Sequence, residues 1–359
     1  MQVNNHSTQV GKTTTTSESS RTRGKRMARS TAEEIDDVAG LFAEFCVVTG
    51  ASEGEALEYL QKTNWQVVDA INLYFDTVAN QPDDDENGTS SNSKDSLKVE
   101  GSKEKEDKKI KMITWNIDGL DDRNLIDRTK AVCSIIERLE PDIIFLQEVI
   151  VETASHIEKR CQKYKVLPTS DAAYFTAMML KKSSVSILSS IVDPFENTTM
   201  MRALHKVKVK CAGIEFLLLN SHLESTKDAS GKRKRQFQMA LQEMCNSNDG
   251  TVALFGGDTN LRDSEVKSIG GLPGGIVDLW EMFGSPEESR YTWDVKRNNN
   301  LDWQFASKPR IRFDRLFLKQ AKQQQVHLQT FKLIGDQWIS TVERFPSDHF
   351  GIYCEFKVN

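Results

Sequence analysis

Apolar positions fall into two regimes along this chain. From residue 110 onward, short apolar runs recur without a helical period, among them Met112-Ile113-Thr114-Trp115, Ile143-Ile144-Phe145-Leu146, Leu217-Leu218-Leu219 and Thr251-Val252-Ala253-Leu254-Phe255. Unbroken runs of this kind predict strands buried on both faces. Strands are expected over 110–115, 143–146, 176–180, 184–189, 204–210, 214–221, 251–255, 312–318 and 351–357, and helices over 128–139, 152–164, 232–246 and 264–269. So many strands with so few helices do not fit an alternating βα barrel; an α/β fold of two packed sheets with helices on the outer faces fits better.

Upstream the spacing becomes helical. Ile35, Val38, Leu41, Phe42 and Phe45 share one face, and Thr49-Gly50-Ala51 breaks the pattern. Ser52 with Glu55 predicts a capping box for a second helix carrying Ala56, Leu57, Tyr59 and Leu60. Asn64-Trp65 opens a third, with Val67, Val68, Ala70, Ile71, Leu73, Tyr74 and Phe75. A three-helix unit is therefore expected over 29–79. The break and the stretch EALEYLQKTNWQVVDAINLYFD resemble a ubiquitin-associated (UBA-like) domain. That resemblance implies ubiquitin binding through the loop after helix one and through helix three, the alternative being a bundle that docks on its own chain or on another protein. Residues 1–28 read as a disordered tail whose cluster Arg21, Arg23, Lys25, Arg26, with Arg29 just beyond, is either a nuclear import signal or a solvated run. Residues 80–109, nearly devoid of apolar side chains, read as a flexible charged linker.

Composition narrows the function classes. A formal net charge of -5 gives no overall nucleic-acid footprint, so an anionic partner must be met by a local basic patch or a metal. The six cysteines are scattered singly with no C-x-x-C, which argues against a zinc site or a disulfide framework and for a reducing compartment. No apolar run reaches membrane-spanning length, and the first residues lack the apolar core of a signal peptide, so a soluble protein that is not secreted is expected.

The chemistry sits at strand ends. The run at 112–115 stops at Asn116, the run at 143–146 at Gln147-Glu148, the run at 217–219 at Asn220-Ser221-His222, and 251–255 at Gly256-Gly257-Asp258-Thr259-Asn260, while Ser347-Asp348-His349 precedes the last strand. Taken singly, each has a structural use: Asp258 and Asn260 as a tight turn, Asn116 as a turn residue, Glu148 as the first acid of a helix, His222 as a core histidine. Taken together they form a coherent set for phosphodiester hydrolysis with a hard cation. Glu148 is the best direct ligand for Mg²⁺, with Asp348 reaching it directly or through water and Asn116 beside them. Asp258 is the natural base or positioning group for water and Asn260 its orienting amide. His349, His222 and Asn116 can donate to nonbridging oxygens, and Asp314 is the expected partner that holds His349.

The motifs TWNIDGLD (114–121), FLQEV (145–149), NSHLES (220–225), GGDTNLRD (256–263), RFDRLF (312–317) and PSDHFG (346–351) together resemble the endonuclease/exonuclease/phosphatase superfamily, in order and over nearly all of 110–359. The resemblance implies a four-layer α/β sandwich with Asn116, Glu148, Asp258 and His349 as its catalytic core. The longer stretches, with GGLP, DLWE, YTWD and RFPSDH behind a UBA-like unit, resemble the branch that cuts tyrosine from DNA 5′ ends. That implies Mg²⁺, with Mn²⁺ able to substitute, and a substrate left by a stalled topoisomerase II, opened to a ligatable 5′ phosphate. A single-stranded 5′ end needs aromatic platforms and cations. Tyr174, Trp293, Trp303, Phe305 and Phe313 are available for the first; Arg262, four residues beyond Asp258, with Arg202 and the run Lys232-Arg233-Lys234-Arg235 for the second; Ser225 closes the NSHLES motif. Residues 298–309 are the least family-like piece. The alternatives are the same fold acting on abasic sites, poly(A) or phospholipid, or a ubiquitin-binding scaffold. A monomer with no membrane partner, in the nucleus and also the cytoplasm, is expected.

Overall fold

The computed structural model describes Leu41, Phe45, Cys46, residues 51–67, Ala70, Leu73 and Tyr74, and residues 108–358 save 302 and 324. The expected basic tail, most of the linker and much of the first and third N-terminal helices lie outside the described residues. The chain divides into two compact units, each described by itself. In the first, helix α1 (Glu53–Lys62) starts with the expected capping box: Glu55 N donates to Ser52 Oγ at 3.4 Å and Ser52 N to Glu55 Oε2 at 2.8 Å. Its buried face presents Ala56, Tyr59 and Leu60, with Tyr59 stacked on Phe45 at 6.1 Å. Asn64 and Trp65 turn the chain through positive φ before helical Val67.

The second unit is a sandwich of two six-stranded sheets. Sheet one contains β1 (Lys109–Asn116), β2 (Ile143–Val149), β3 (Tyr164–Pro168), β4 (Phe175–Lys181), β13 (Val326–Ile334) and β14 (Gly351–Val358), in the order β13-β14-β1-β2-β4-β3. Sheet two contains β5 (Val185–Pro194), β6 (Ala203–Cys211), β7 (Ile214–Asn220), β8 (Thr251–Asp258), β9 (Ile276–Asp278) and β12 (Asp314–Lys319), in the order β5-β6-β7-β8-β12-β9. A two-stranded ribbon joins β10 (Trp293–Asp294) to β11 (Arg310–Ile311). Each sheet has one parallel pair at its centre, β1 with β2 and β7 with β8, connected through α2 (Leu125–Leu139) and α4 (Ser230–Cys245) respectively.

Strand alternation sorts the apolar runs into three layers of core. Met112, Ile143, Phe145, Leu218, Val252, Leu254 and Leu316 meet between the sheets. Their out-of-phase neighbours Ile113, Trp115, Ile144 and Leu146 face Val132, Ile136 and Ile157 of α2 and α3 (Val151–Arg160). On the other side Leu219, Ala253, Phe255 and Phe317 face Phe237, Leu241 and Met244 of α4. Four layers in the order helix, sheet, sheet, helix follow from runs that are apolar nearly throughout.

Five strands escaped the sequence reading, two of them the two-residue strands β10 and β11 of the ribbon. Beyond α3, which stops at Arg160 and not at residue 164 as expected, β3 forms an edge strand; β13, exposed along part of its length, and three-residue β9 are edge strands too. Edge strands bury one face weakly and carry Lys, Gln and Pro, so their pattern is diluted. Near the end of β8, Gly257 has φ +134°, and a Cβ there would stand 1.9 Å from the backbone oxygen of Ser221. We expect Gly257→Ala to cost about 3 kcal/mol or more. Gly274→Ala, with open space around it, should stay within about 0.5 kcal/mol. Urea unfolding of the two variants checks this; equal midpoints would show that the close approach is not rigid.

Candidate active site

The alternation that builds the inter-sheet core also delivers the polar residues. Stepping by two along each inner face, Met112 leads to Asn116, Phe145 to Gln147, Leu218 to Asn220, Leu254 to Asp258, and Leu316 back to Asp314. All five are almost fully buried, at the same mouth of the sandwich. Glu148 is out of phase and should face the helices. A break in register between Leu146 and Val149, with Glu148 at φ +51°, turns it back. Strain of this kind persists where surroundings enforce it, here through Gly119, whose missing Cβ makes room for the Glu148 carbonyl.

Asp258 is the hub. Its Oδ2 accepts from Asn116 Nδ2 at 2.9 Å and lies 3.3 Å from His222 Nε2 and 3.8 Å from His349 Nε2; its Oδ1 accepts from the backbone of Asn260 at 3.1 Å. Burial alone would raise its pKa, but His222, His349 and the Asn116 amide bring it below the usual range, so it is ionised. His349 Nδ1 is 2.7 Å from Asp314 Oδ2. Burial works against its charge, yet the carboxylates of Asp314, Asp348 and Asp258 hold its pKa well above 6.5. This is the expected pairing, and it aims Nε2 at the mouth. His222 goes the other way: burial, then Arg202, lower it to about 3. A neutral imidazole has one proton. With Nε2 beside Asp258 that proton goes to the carboxylate, and Nδ1, buried without a protein partner and 4.0 Å from Glu148 Oε1, is left as an acceptor.

Glu148, His222 and Asp258 bring one potential ligand atom each within 4.8 Å of the others, as do Asp258, Asp314 and His349. The second trio is already satisfied as an ion pair. The first fits a hard cation: burial, then the negative Asp348 and Asp258, push the Glu148 carboxyl to about 7, an excess of negative charge that a divalent ion relieves. Asp348 lies outside both trios, and its Oδ2 accepts from the Trp293 indole at 3.2 Å. Trp293 thus orients a carboxylate, a use the sequence reading did not anticipate. Asn260 sits at φ +51° with its amide nitrogen given to Leu223 O at 3.3 Å, and Asn116 Oδ1 accepts from Asp118 N.

Around the mouth, Arg262 is buried, donates from Nη1 to Asn260 O at 3.1 Å and stacks over Phe313 at 5.3 Å. Burial, then Arg233, lower its pKa to about 10. Arg202 stacks over Tyr174, and the hydroxyls of Tyr174 and Ser225 both reach Met200; Tyr174, Arg202 and His222 line one cleft. Trp303 and Phe305 stack edge-on beside Trp293. The basic run at 232–235 is not a phosphate surface throughout: Arg233 is buried, paired with Glu265 and bonded to Glu224 O and Thr226 O.

Several supporting residues were missed. Asn220 joins the sheets, its Oδ1 accepting from Gln147 at 2.9 Å and its Nδ2 donating to Ala177 O and Leu146 O. Glu224 holds the loop before β6 through Thr198, the backbone N–H of Thr199 and Gln236. Ser347 bonds Asn116 O and receives His349 N, while Asn298 and Asn300, within the piece read as least family-like, bond Ser347 O and Phe345 O and so fix the loop that carries Asp348 and His349. Burial of an amide in a polar stretch is not visible as a local pattern. The only signal was that Asn220 continues the inner-face phase of Leu218.

Comparison with known proteins bears on the family and the fold. Residues 113–349 match the Endonuclease/Exonuclease/phosphatase family, and residues 41–81 the UBA-like domain. The chain is similar to tyrosyl-DNA phosphodiesterase 2 (TDP2) of Xenopus laevis, 39% identical over 344 residues, covering 88% of this chain and 92% of that protein. It is 37% identical over 336 residues to the Homo sapiens protein of the same name, covering 89% and 92%. Among solved structures it resembles D. rerio TDP2 complexed with single strand DNA product, at 42% identity and TM-score 0.68, covering 70% of this chain and all (100%) of that one. TDP2 from C. elegans, at 31% identity and TM-score 0.64, covers 89% and 93%.

Proposed function

This chain belongs to the endonuclease/exonuclease/phosphatase family, and on that premise we propose that it hydrolyses the phosphotyrosyl bond joining a DNA 5′ end to a topoisomerase II tyrosine, using Mg²⁺ and leaving a 5′ phosphate. It is a metal-dependent tyrosyl-DNA phosphodiesterase by its relatives; the choice of Mg²⁺ and of the topoisomerase adduct is our reading. The observation that carries the reading is the pair of opposed environments on either side of Asp258: an ionised, buried carboxylate that can orient water, and across from it the crowded carboxyl of Glu148.

Asp258, fixed by Asn116 and the Asn260 backbone, holds the attacking water and takes its proton. His349, kept protonated by Asp314, offers Nε2–H to a nonbridging oxygen as charge grows there. Arg262 and Arg202 flank the strand, with Phe313 and Tyr174 as faces against which bases can rest. Glu148, with Asp348 and Asn116, would hold the cation. A bound Mg²⁺ supplies Lewis-acid stabilisation of the phosphoryl oxygens and of the departing phenolate. The UBA-like unit would bring the enzyme to ubiquitin, and the basic residues at 21–29 to the nucleus.

The test is release of tyrosine from a 5′-phosphotyrosyl oligonucleotide, run beside abasic DNA, poly(A) and a phosphoinositide. Tyrosine release should dominate, stop with EDTA and return with Mg²⁺ or Mn²⁺. Mg²⁺ should also raise the melting temperature of the wild type, and do so much less in Glu148→Gln, since binding to the folded state alone stabilises it. Preference for abasic DNA would overturn the substrate, and an unchanged metal shift in Glu148→Gln would overturn the ligand.

A further inference from the structure

Beyond Arg262 the surface opens into a second cleft, lined by Arg262, Arg290, Tyr291, Arg310, Arg312 and Arg315 around one carboxylate, Asp263. In a chain of net charge -5, five guanidinium groups around one opening need an explanation. Part is structural: Arg312 bonds Asp278 Oδ2 at 2.6 Å and Asp263 Oδ1 at 3.0 Å, and Arg315 also reaches Asp263. Asp263 is thereby neutralised twice over. Arg310 and Arg290 are each paired with one carboxylate as well, but both also stack on a single ring. Arg310 gives Nε to the buried Asp294 at 3.0 Å and lays its guanidinium over Tyr291 at 4.3 Å; Arg290 lies over the same ring at 5.1 Å, with Glu287 at 3.4 Å on the solvent side. Arg262 Nε and Arg315 Nε are buried donors without a protein partner. A buried N–H left in this state is costly unless an acceptor arrives. Stacking on Tyr291 holds two guanidinium planes in place before any ligand binds, and planar forks suit phosphate oxygens.

We propose that this cleft is a second phosphate subsite, which takes a backbone phosphate of the substrate strand downstream of the scissile one, with Arg290, Arg310 and Arg262 as its donors. The proposal rests on the DNA reading above. Arg262 couples the two places: one edge reaches Asn260 O beside the catalytic carboxylate, and the residue also lines the cleft. Asp294 and Glu287 lie beside the arginines, so the cleft suits a strand already anchored at its 5′ end better than a phosphate in isolation. Tyr291 offers the ring against which sugar or base can pack.

The experiment compares two substrates that differ only in downstream phosphates: a thymidine 5′-phosphate aryl ester, which has none, and a 5′-phosphotyrosyl hexanucleotide. Arg290→Ala and Arg310→Lys are assayed singly and together, the lysine change sparing the pair with buried Asp294. For the double variant kcat/KM on the hexanucleotide should fall about tenfold, mainly in KM, while the rate on the mononucleotide stays within twofold. The slope of log kcat/KM against log salt should flatten by roughly 1, one phosphate contact. Equal losses on both substrates, or no loss on the hexanucleotide, would overturn the subsite. Failure of the DNA reading looks different, because the wild type itself would then cleave neither compound.

Discussion

Replacing Asp258 by asparagine is expected to lower kcat on a 5′-phosphotyrosyl oligonucleotide by about 10³- to 10⁴-fold while leaving the fold intact. The magnitude follows from removing a buried carboxylate placed to take a proton from water. The intact fold follows from isosterism. Asparagine keeps an oxygen for Asn116 Nδ2 or the Asn260 backbone, and His349 keeps Asp314 at 2.7 Å. Steady-state kinetics with thermal unfolding as a control checks this. Activity within tenfold of wild type at an unchanged melting temperature would remove Asp258 from the centre of the reaction.

Asp314→Asn should cost about 10²- to 10⁴-fold in kcat, by the logic that applies to a carboxylate holding a catalytic imidazole. A pH signature separates this from simple misfolding. The Asp314 carboxylate is the first of the charges that hold His349 above its ordinary value. Activity that needs the imidazolium is therefore retained below the raised pKa and lost as pH rises through it. Removing the carboxylate lowers that pKa, so the alkaline limb of the profile should move to lower pH. Stability follows the same sign: the pair contributes fully below pH ~6.5, and its contribution fades as pH rises through the native value. An alkaline limb that stays where it was in Asp314→Asn would assign it to another group.

Much of this was legible from the chain because the fold and the site use one device. A run apolar at every position states that both faces are covered, and the polar residue two steps past its last inner-facing side chain is delivered to the mouth. Asn116, Asp258 and Asp314 could be read that way, and the His349–Asp314 pair was expected from chemistry. Glu148 could be named but not aimed, because a single-residue break in register leaves no trace in composition. Other misses share a cause. Asn220, Asn298 and Ser347 look like loop residues locally, and their value comes from partners up to 231 positions away, as with Ser347 and Asn116. Arg233 was miscounted for the same reason: a basic run looks solvated until Glu265 is brought to it from 32 positions away. Strands β3, β9 and β13 were lost because edge strands dilute the pattern.

Asn116 and Glu148, on the side proposed for the cation, ride on one sheet, and Asp258 and Asp314, on the side proposed for water, on the other. The reacting atoms therefore gauge the thickness of the slab beneath them, much as the jaws of a caliper read what lies between. Side chains such as Met112 and Leu254, which never approach DNA, set that gap. Selection on turnover should accordingly reach deep into the sandwich and restrict the volumes tolerated there more narrowly than stability alone would require.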